Sequence, residues 1–453
     1  MSEKNKKLRL VAAAGLALAL SLTASADGQA GADKDRLPGL KESAALYNNW
    51  LKVRFERVLP EVMRREKIDM WVVVCREHAE DPVYPTLVPR PNMFAWRLTM
   101  FVFFDRGAAG GGVECLSVNP YGSGDFNKEL ADYYRPGWGD GTEEPWRRLA
   151  RVVRERNPKR IAVDESKTFA FADGLSATLK AELLAALGPE LAGRVVSAER
   201  LAVGWLEKRT AEELEFYGRL ASLNRRIAAE ALSGKVITPG VTTLDDLTWW
   251  TRERFAGLGL EAWFQPTFYI LRSSRGASGN RRVVERGDVV RCDIGFACLG
   301  MTTDVQEVAY VLREGETEAP EGLRQAMRLG NRLQDILVGE FKVGRTGDEV
   351  LAEALAKARA EGLKPRIYSH PLNYYGHGAG ARIGLPDMQG GVPGMGGYPL
   401  YPDTCWAIEL GVAAVVPEWG DQEVQLALEQ GAVFTAAGVR YPAGRQTAFH
   451  LIK

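Results

Sequence analysis

Two aspartates eleven residues apart, Asp293 and Asp304, are the residues in this chain best placed to do chemistry. They stand in Val289-Val290-Arg291-Cys292-Asp293-Ile294-Gly295, continued through Gly300-Met301-Thr302-Thr303-Asp304. Two β-branched, apolar segments around a short glycine-containing connection predict a β-hairpin. Their midpoint falls at Cys298-Leu299, and a turn there sets the two carboxylates directly opposite each other on one face. Like charges so placed repel, and a bound dication would answer them, because paired carboxylates suit hard cations. The plainer alternative is one aspartate in the turn and the other solvated.

Three later stretches extend the pattern. Gly376-His377-Gly378-Ala379-Gly380 sets a histidine between glycines, where backbone can approach an ion closely. Trp406-Ala407-Ile408-Glu409-Leu410 places a glutamate in an apolar strand, and Gln422-Glu423-Val424-Gln425-Leu426 is a second acid-bearing strand. Asp293, Asp304, Glu409 and Glu423 would bring four negative charges together with one neutral imidazole. Two divalent cations neutralise that set, whereas four converging buried carboxylates without metal would repel one another. A pair of ions sharing a water can generate a nucleophile at neutral pH and clamp the tetrahedral intermediate of amide hydrolysis.

The order Asp, Asp, His, Glu, Glu, with Asp-x10-Asp followed by Gly-His-Gly, resembles the pita-bread metallopeptidases, which include methionine aminopeptidase, aminopeptidase P, prolidase and the metal-free creatinase. The resemblance covers the chain from about Arg209 to its end. It implies an α+β fold, with a C-terminal pita-bread catalytic domain preceded by a smaller α/β domain of the creatinase type. It also implies metal ligands at Asp293, Asp304, His377, Glu409 and Glu423, two divalent ions with manganese favoured over cobalt, iron or zinc, and Glu409 as general base. The last ligand position stays open between neighbours. A four-residue loop over Pro417-Glu418-Trp419-Gly420 aims Gln422 at Glu409's face, and a three- or five-residue loop aims Glu423 there. Glu423, the acid, is taken as the ligand.

In this family a further histidine follows the metal histidine by seven residues; counted from His377, that place is Gly384. His370, seven residues before His377, is the remaining candidate for contacting substrate and moving protons, and a hydrogen-bonded structural histidine is its alternative. Arg382 could orient a charged substrate terminus, with a surface ion pair as the plain reading. The activity implied is a dinuclear aminopeptidase or dipeptidase acting on a peptide or small amide, with an Xaa-Pro preference left open. A metal-dependent lyase or non-peptide hydrolase on the same fold, and a non-catalytic binding protein with a residual metal site, are the competing readings.

The elements that must position these residues are legible from periodicity. Helices are expected over 42–67, 146–156, 174–187, 211–234, 243–258, 321–339 and 346–361, the first broken by Pro60. Strands are expected at 70–75, 98–104, 113–117, 160–163 and near 195, then at 264–271 and through the aspartate hairpin. The domains follow as 1–26 leader, 27–40 lead-in, 41–205 α/β domain and 206–453 catalytic domain. Thr210 and Glu213 form a capping-box pattern just past the boundary.

The 453 residues are 46% hydrophobic and 26% charged, with Lys plus Arg equal to Asp plus Glu, so bulk charge points to no nucleic-acid partner. Lys4, Lys6, Lys7 and Arg9 precede an apolar run and Ala24-Ser25-Ala26, a pattern that predicts cleavage after Ala26, export to a periplasm or beyond, and no integral membrane anchor afterwards. The five cysteines lack Cys-x-x-Cys spacing and read as buried thiols, with a Cys75–Cys115 disulfide as the alternative for an exported protein. A homodimer is the assembly that the resemblance implies.

Overall fold

The computed structural model describes residues 37–92, 94–118, 130–137, 143–274 and 282–453. The leader expected over 1–26 and all but the last four residues of the lead-in expected over 27–40 lie outside the described residues. Lys41–Lys453 form one compact unit, built on two large sheets.

The first sheet has six strands in the order β4-β3-β2-β1-β5-β6: β1 (Met70–Arg76), β2 (Leu98–Asp105), β3 (Val113–Ser117), β4 (Arg135–Pro136), β5 (Ile161–Val163) and β6 (Val195–Ser197). β1 reads Met-Trp-Val-Val-Val-Cys and is buried on both faces, as a central strand covered by helices must be. Helices α1 (Leu40–Val53) and α2 (Leu59–Arg65) precede it, joined by one π-helical turn, Arg54–Val58. Pro60 therefore does not break the helix. It lacks the N–H that would reach back one turn, and the wider π turn just before it accommodates the ring. Helices α3 (Pro145–Arg156) and α4 (Ala177–Ala192) pack beside the sheet, and Gly188, at φ 76°, interrupts α4 near the expected end at Leu187. Helix α5 (Glu199–Glu207) runs through the expected boundary before Thr210 caps α6 (Ala211–Ala231) with the reciprocal Thr210–Glu213 capping box.

At the carboxyl end of β5, Asp164 and Asp81 are both buried and interact electrostatically; Trp71 Nε1 donates to Asp164 Oδ1 at 2.7 Å, and the Oδ2 atoms of both aspartates have no hydrogen-bond partner. Burial and mutual repulsion push Asp164 well above the ordinary carboxylate range, and burial raises Asp81 to about 6. Two such carboxyls must share a proton. Because their folded values are raised, the stability they contribute is full at acid pH and is lost as pH rises through about 6. Asp164→Asn keeps an acceptor for Trp71 and offers Asp81 a permanent donor, so its melting temperature should fall less than that of the wild type between about pH 5 and 8. Parallel thermal melts across that range check it.

The second sheet has nine strands, with the path β13-β15-β16-β12-β9-β8 and β14, β17 and β18 attached to β15, β16 and β12. In chain order the strands of this half are β7 (Glu261–Ala262), β8 (Thr267–Leu271), β9 (Val289–Ile294), β10 (Phe296–Cys298), β11 (Met301–Thr302), β12 (Val305–Val311), β13 (Lys364–Ile367), β14 (His370–Leu372), β15 (Thr404–Val416), β16 (Gln422–Thr435), β17 (Gly438–Arg440) and β18 (His450–Ile452). Strands β7, β10 and β11 make a separate small sheet. Helices α6, α7 (Leu244–Gly257), α8 (Glu321–Gly339) and α9 (Gly347–Ala360) accompany the large sheet. The cores of the two halves are continuous: Trp205 and Phe55 share one buried cluster with Leu333, Trp406 and Ile408.

All five cysteines are free thiols, so the Cys75–Cys115 alternative is not realised. Among the described residues, no helix is long and apolar enough to cross a membrane.

Candidate metal centre

The aspartate hairpin forms, with its turn one residue later than expected. Leu299 and Gly300 both take positive φ, 51° and 73°, and Cys298 pairs with Met301. This is the geometry of a two-residue hairpin turn. In the resulting register Asp293 faces Gln306, and Asp304 lies two residues before Gln306. The aspartates thus share a face but stand diagonally, with the amide of Gln306 opposite Asp293.

That amide organises the site. Gln306 Nε2 donates to Glu409 Oε1 at 2.8 Å and to Glu429 Oε2 at 2.9 Å. One oxygen of each glutamate is thereby fixed, leaving Glu409 Oε2 and Glu429 Oε1 free to turn towards the histidine. His370 Nε2 lies 3.8 Å from Asp304 Oδ2, 4.0 Å from Glu409 Oε2 and 3.7 Å from Glu429 Oε1. Its Nδ1 faces the Pro371 carbonyl at 3.2 Å, which makes Nδ1 the protonated nitrogen and gives Nε2 the lone pair. Asp304, His370 and Glu429 can each offer an atom within 4.8 Å of the others, and all three are buried.

Lone pairs of carboxylates and a neutral imidazole pointing at one another are repulsive. Asp304 Oδ1, Glu429 Oε1 and His370 Nε2 are buried without any hydrogen-bond partner. Burial raises every carboxyl in the group: Asp293 to about 6 and Glu409 to about 8, with Asp304 and Glu429 well above the usual range. Burial, with Arg382 and His377 nearby, holds His370 well below the ordinary histidine value, so its lone pair is available. Buried unpartnered acceptors of this kind are costly and call for compensation. Four carboxylates and one imidazole fit two divalent cations in charge and in donor type.

Of the expected ligands, Glu423 is not brought to this cluster, and His377 stands beside it. Glu423 lies on β16 opposite Val415, half exposed and paired with Lys364. The acid facing Glu409 across the ladder is Glu429, six residues further on, or about 20 Å along a strand. Both strands run well beyond the turn at Pro417–Trp419 before they reach the buried centre, and counting outward from that turn pairs Glu409 with Glu429. The apolar setting of Leu428-Glu429-Gln430 was the available signal. Gln422 accepts from Ser274 N and donates to the Arg272 carbonyl, also away from the site.

His377 is the second correction. Its ring centroid lies 4.8 Å from that of His370, on the loop after β14 and edge-on to Trp263 at 5.2 Å. His370 meets the carboxylates because β14 pairs with β15, setting His370 opposite Ala407, two residues from Glu409. With His370 at the centre, His377 occupies the place seven residues on that appeared empty at Gly384. The flanking glycines serve Trp263 and Asn373: a Cβ on Gly376 would meet the Trp263 ring at 2.2 Å, and one on Gly378 would meet Asn373 at 2.3 Å.

Arg382 is buried beside the cluster. It donates to Tyr368 Oη at 3.3 Å and to the His377 carbonyl at 3.2 Å, while its Nε has no partner. The glycine-rich loop after it is tied to Asp348, which accepts from Val392 N at 2.8 Å.

Residues 219–441 match the model of metallopeptidase family M24. No curated protein matches the chain. Among solved structures, an X-Pro aminopeptidase from Thermotoga maritima superposes with a TM-score of 0.58 at 15% identity, over 86% of this chain and 99% of that one. A dipeptidase PepE from Mycobacterium ulcerans gives 0.57 at 19% identity, over 90% and 98%. The N-terminal domain of the FACT complex subunit SPT16 from chickpea gives 0.53 at 11% identity, over 89% and 99%. These likenesses establish the fold, and a fold alone does not choose among such roles.

Proposed function

We propose, from the match of residues 219–441 to metallopeptidase family M24, that the protein is a dinuclear metal-dependent aminopeptidase or dipeptidase. The observation that carries the proposal is the set of three buried, unpartnered ligand atoms on Asp304, His370 and Glu429, with Gln306 restraining the other glutamate oxygens. Asp293, Asp304, His370, Glu409 and Glu429 are the residues that would hold the ions. Their oxygen-rich set with one imidazole suits manganese, with cobalt, iron or zinc as substitutes.

A bound pair of divalent ions supplies Lewis acidity and a hydrolytic nucleophile at neutral pH. The protein's own groups supply the rest. Glu409, with Oε1 held by Gln306, has Oε2 free to accept a proton and return it to the leaving amine. His377 is neutral near pH 7, because burial and Arg382 push it down to about 4. It can therefore hydrogen-bond the substrate carbonyl without adding charge. Trp263, anchored by its Nε1 to the Thr303 carbonyl at 2.7 Å, walls the site beside His377 and limits water.

Arg382, with a guanidinium nitrogen to spare, is proposed to bind the carboxylate of a short peptide. Arg382→Ala should raise KM for free dipeptides about tenfold or more while leaving amidated analogues little changed. Steady-state kinetics on matched free and amidated peptides check this. The whole reading is tested by loading the protein with manganese and assaying Xaa-Pro and Xaa-Ala dipeptides. Metal-dependent release of the N-terminal residue supports it, and binding of metal without cleavage of any peptide rejects it. Export after cleavage at Ala26 and a homodimer are parts of the same proposal, read out by N-terminal sequencing of the mature protein and by its mass in solution.

A further inference from the structure

Away from the carboxylate centre, a second group of charges is buried where α1, α5 and α6 meet the tip of the aspartate hairpin. Arg54, from the π turn, donates through Nη1 to both oxygens of Glu213, at 3.2 and 3.1 Å, and to the Lys208 carbonyl at 2.8 Å. Its Nη2 donates to the Trp205 carbonyl. Arg209 donates through Nη1 to the same Glu213 at 3.2 Å. Two guanidiniums therefore share one carboxylate, and Glu213 also spends an oxygen on capping α6 through Thr210 N. Arg209 is only 5% exposed, and its Nε and Nη2 have no hydrogen-bond partner.

Arg54, Arg209 and Glu213 line a cavity of about 20 Å³, closed on its other side by Leu299, Gly300 and Tyr374. That volume leaves room for one small species, a water or a monatomic ion, and none for a polyatomic anion. Of the neighbouring hydroxyls, Thr86 Oγ1 accepts the Trp205 Nε1 hydrogen and donates to the Val83 carbonyl, while Tyr47 donates its hydrogen to the Pro85 carbonyl. The cavity thus has a net positive charge and unsatisfied donors. A neutral water could accept from the donors but would leave the charge uncompensated, which is costly in a buried site.

We propose that this cavity is a binding site for a small monovalent anion of halide size, held by Arg209 with Arg54 behind it. The anion would complete the Arg54–Glu213–Arg209 network. It would also brace the Leu299–Gly300 turn, the tip of the hairpin carrying Asp293 and Asp304, against Tyr374, which lies between His370 and His377. Gly300 already packs closely there, since a Cβ on it would meet Tyr374 at 3.0 Å and Tyr47 at 3.4 Å. The proposal is independent of the peptidase reading.

The test uses bromide on the whole protein. Crystals soaked in sodium bromide should show an anomalous peak against Arg209. Thermal melts at fixed ionic strength should show a melting temperature that rises and saturates with bromide or chloride but not with gluconate, which the cavity cannot admit. Arg209→Met should abolish the halide-specific shift, and Arg209→Lys should weaken it. Should Arg209→Met fail to fold, the wild-type diffraction and melts decide alone. A cavity without an anomalous peak, together with equal melting temperatures in bromide and gluconate, would show that water fills it and would overturn the proposal.

Discussion

Glu429→Gln is expected to lose metal and activity together, by about a hundredfold or more in kcat/KM, while Glu423→Gln stays at the wild-type level in both. Glu429 is buried, faces Glu409 across the ladder and leaves Oε1 unpartnered beside His370. Removing its charge leaves the cluster one negative short for two dications, and even indirect supports of metal ligands cost about 10–100-fold when removed. Glu423 is half exposed beside Lys364, and such surface pairs contribute about 0–1 kcal/mol. A third readout separates loss of a ligand from loss of the fold. With no metal present, Glu429→Gln relieves repulsion among buried carboxylates, so its melting temperature in chelator should equal or exceed that of the wild type. Metal analysis, peptide kinetics and melts in chelator on the two variants measure all three.

The histidines should divide in the same way. His370→Ala removes the one imidazole whose Nε2 lies within 4.0 Å of three carboxylates, and both metal content and turnover should collapse. His377→Ala leaves the carboxylate centre intact, so metal content should be unchanged while kcat falls about a hundredfold, the usual scale for a proton-transferring or hydrogen-bonding group. KM should move much less than kcat, since the bond from His377 is expected to strengthen towards the transition state. If His377→Ala were instead the variant that loses metal, His370 would be the second histidine and the assignment would be reversed.

Much of this organisation was legible in the sequence because local signals agreed with the final packing. The capping boxes at Thr210, Thr243 and Thr346 start helices where the hydrophobic period begins. The β-branched runs around Asp293 and Asp304 form the expected hairpin. What escaped depends on long-range register. A turn shifted by one residue, from Cys298-Leu299 to Leu299-Gly300, exchanges a facing pair of aspartates for a diagonal one and brings Gln306 into the site. The length of β15 and β16 past their turn decides between Glu423 and Glu429, and these long strands pack on α8, a contact that no residue in the turn announces. Gly-His-Gly pointed to His377, but its glycines make room for Trp263 and Asn373. The pairing of β14 with β15, which delivers His370, joins segments more than thirty residues apart, and no local pattern announces it.

The most direct test is the number of metal ions bound per chain at equilibrium. Wild-type protein stripped with chelator and dialysed against manganese should take up two ions per chain, with Glu429→Gln taking up fewer and Glu423→Gln still taking up two. A folded wild-type chain that binds no divalent ion at millimolar manganese, or that binds two equally well without Glu429, would contradict the account.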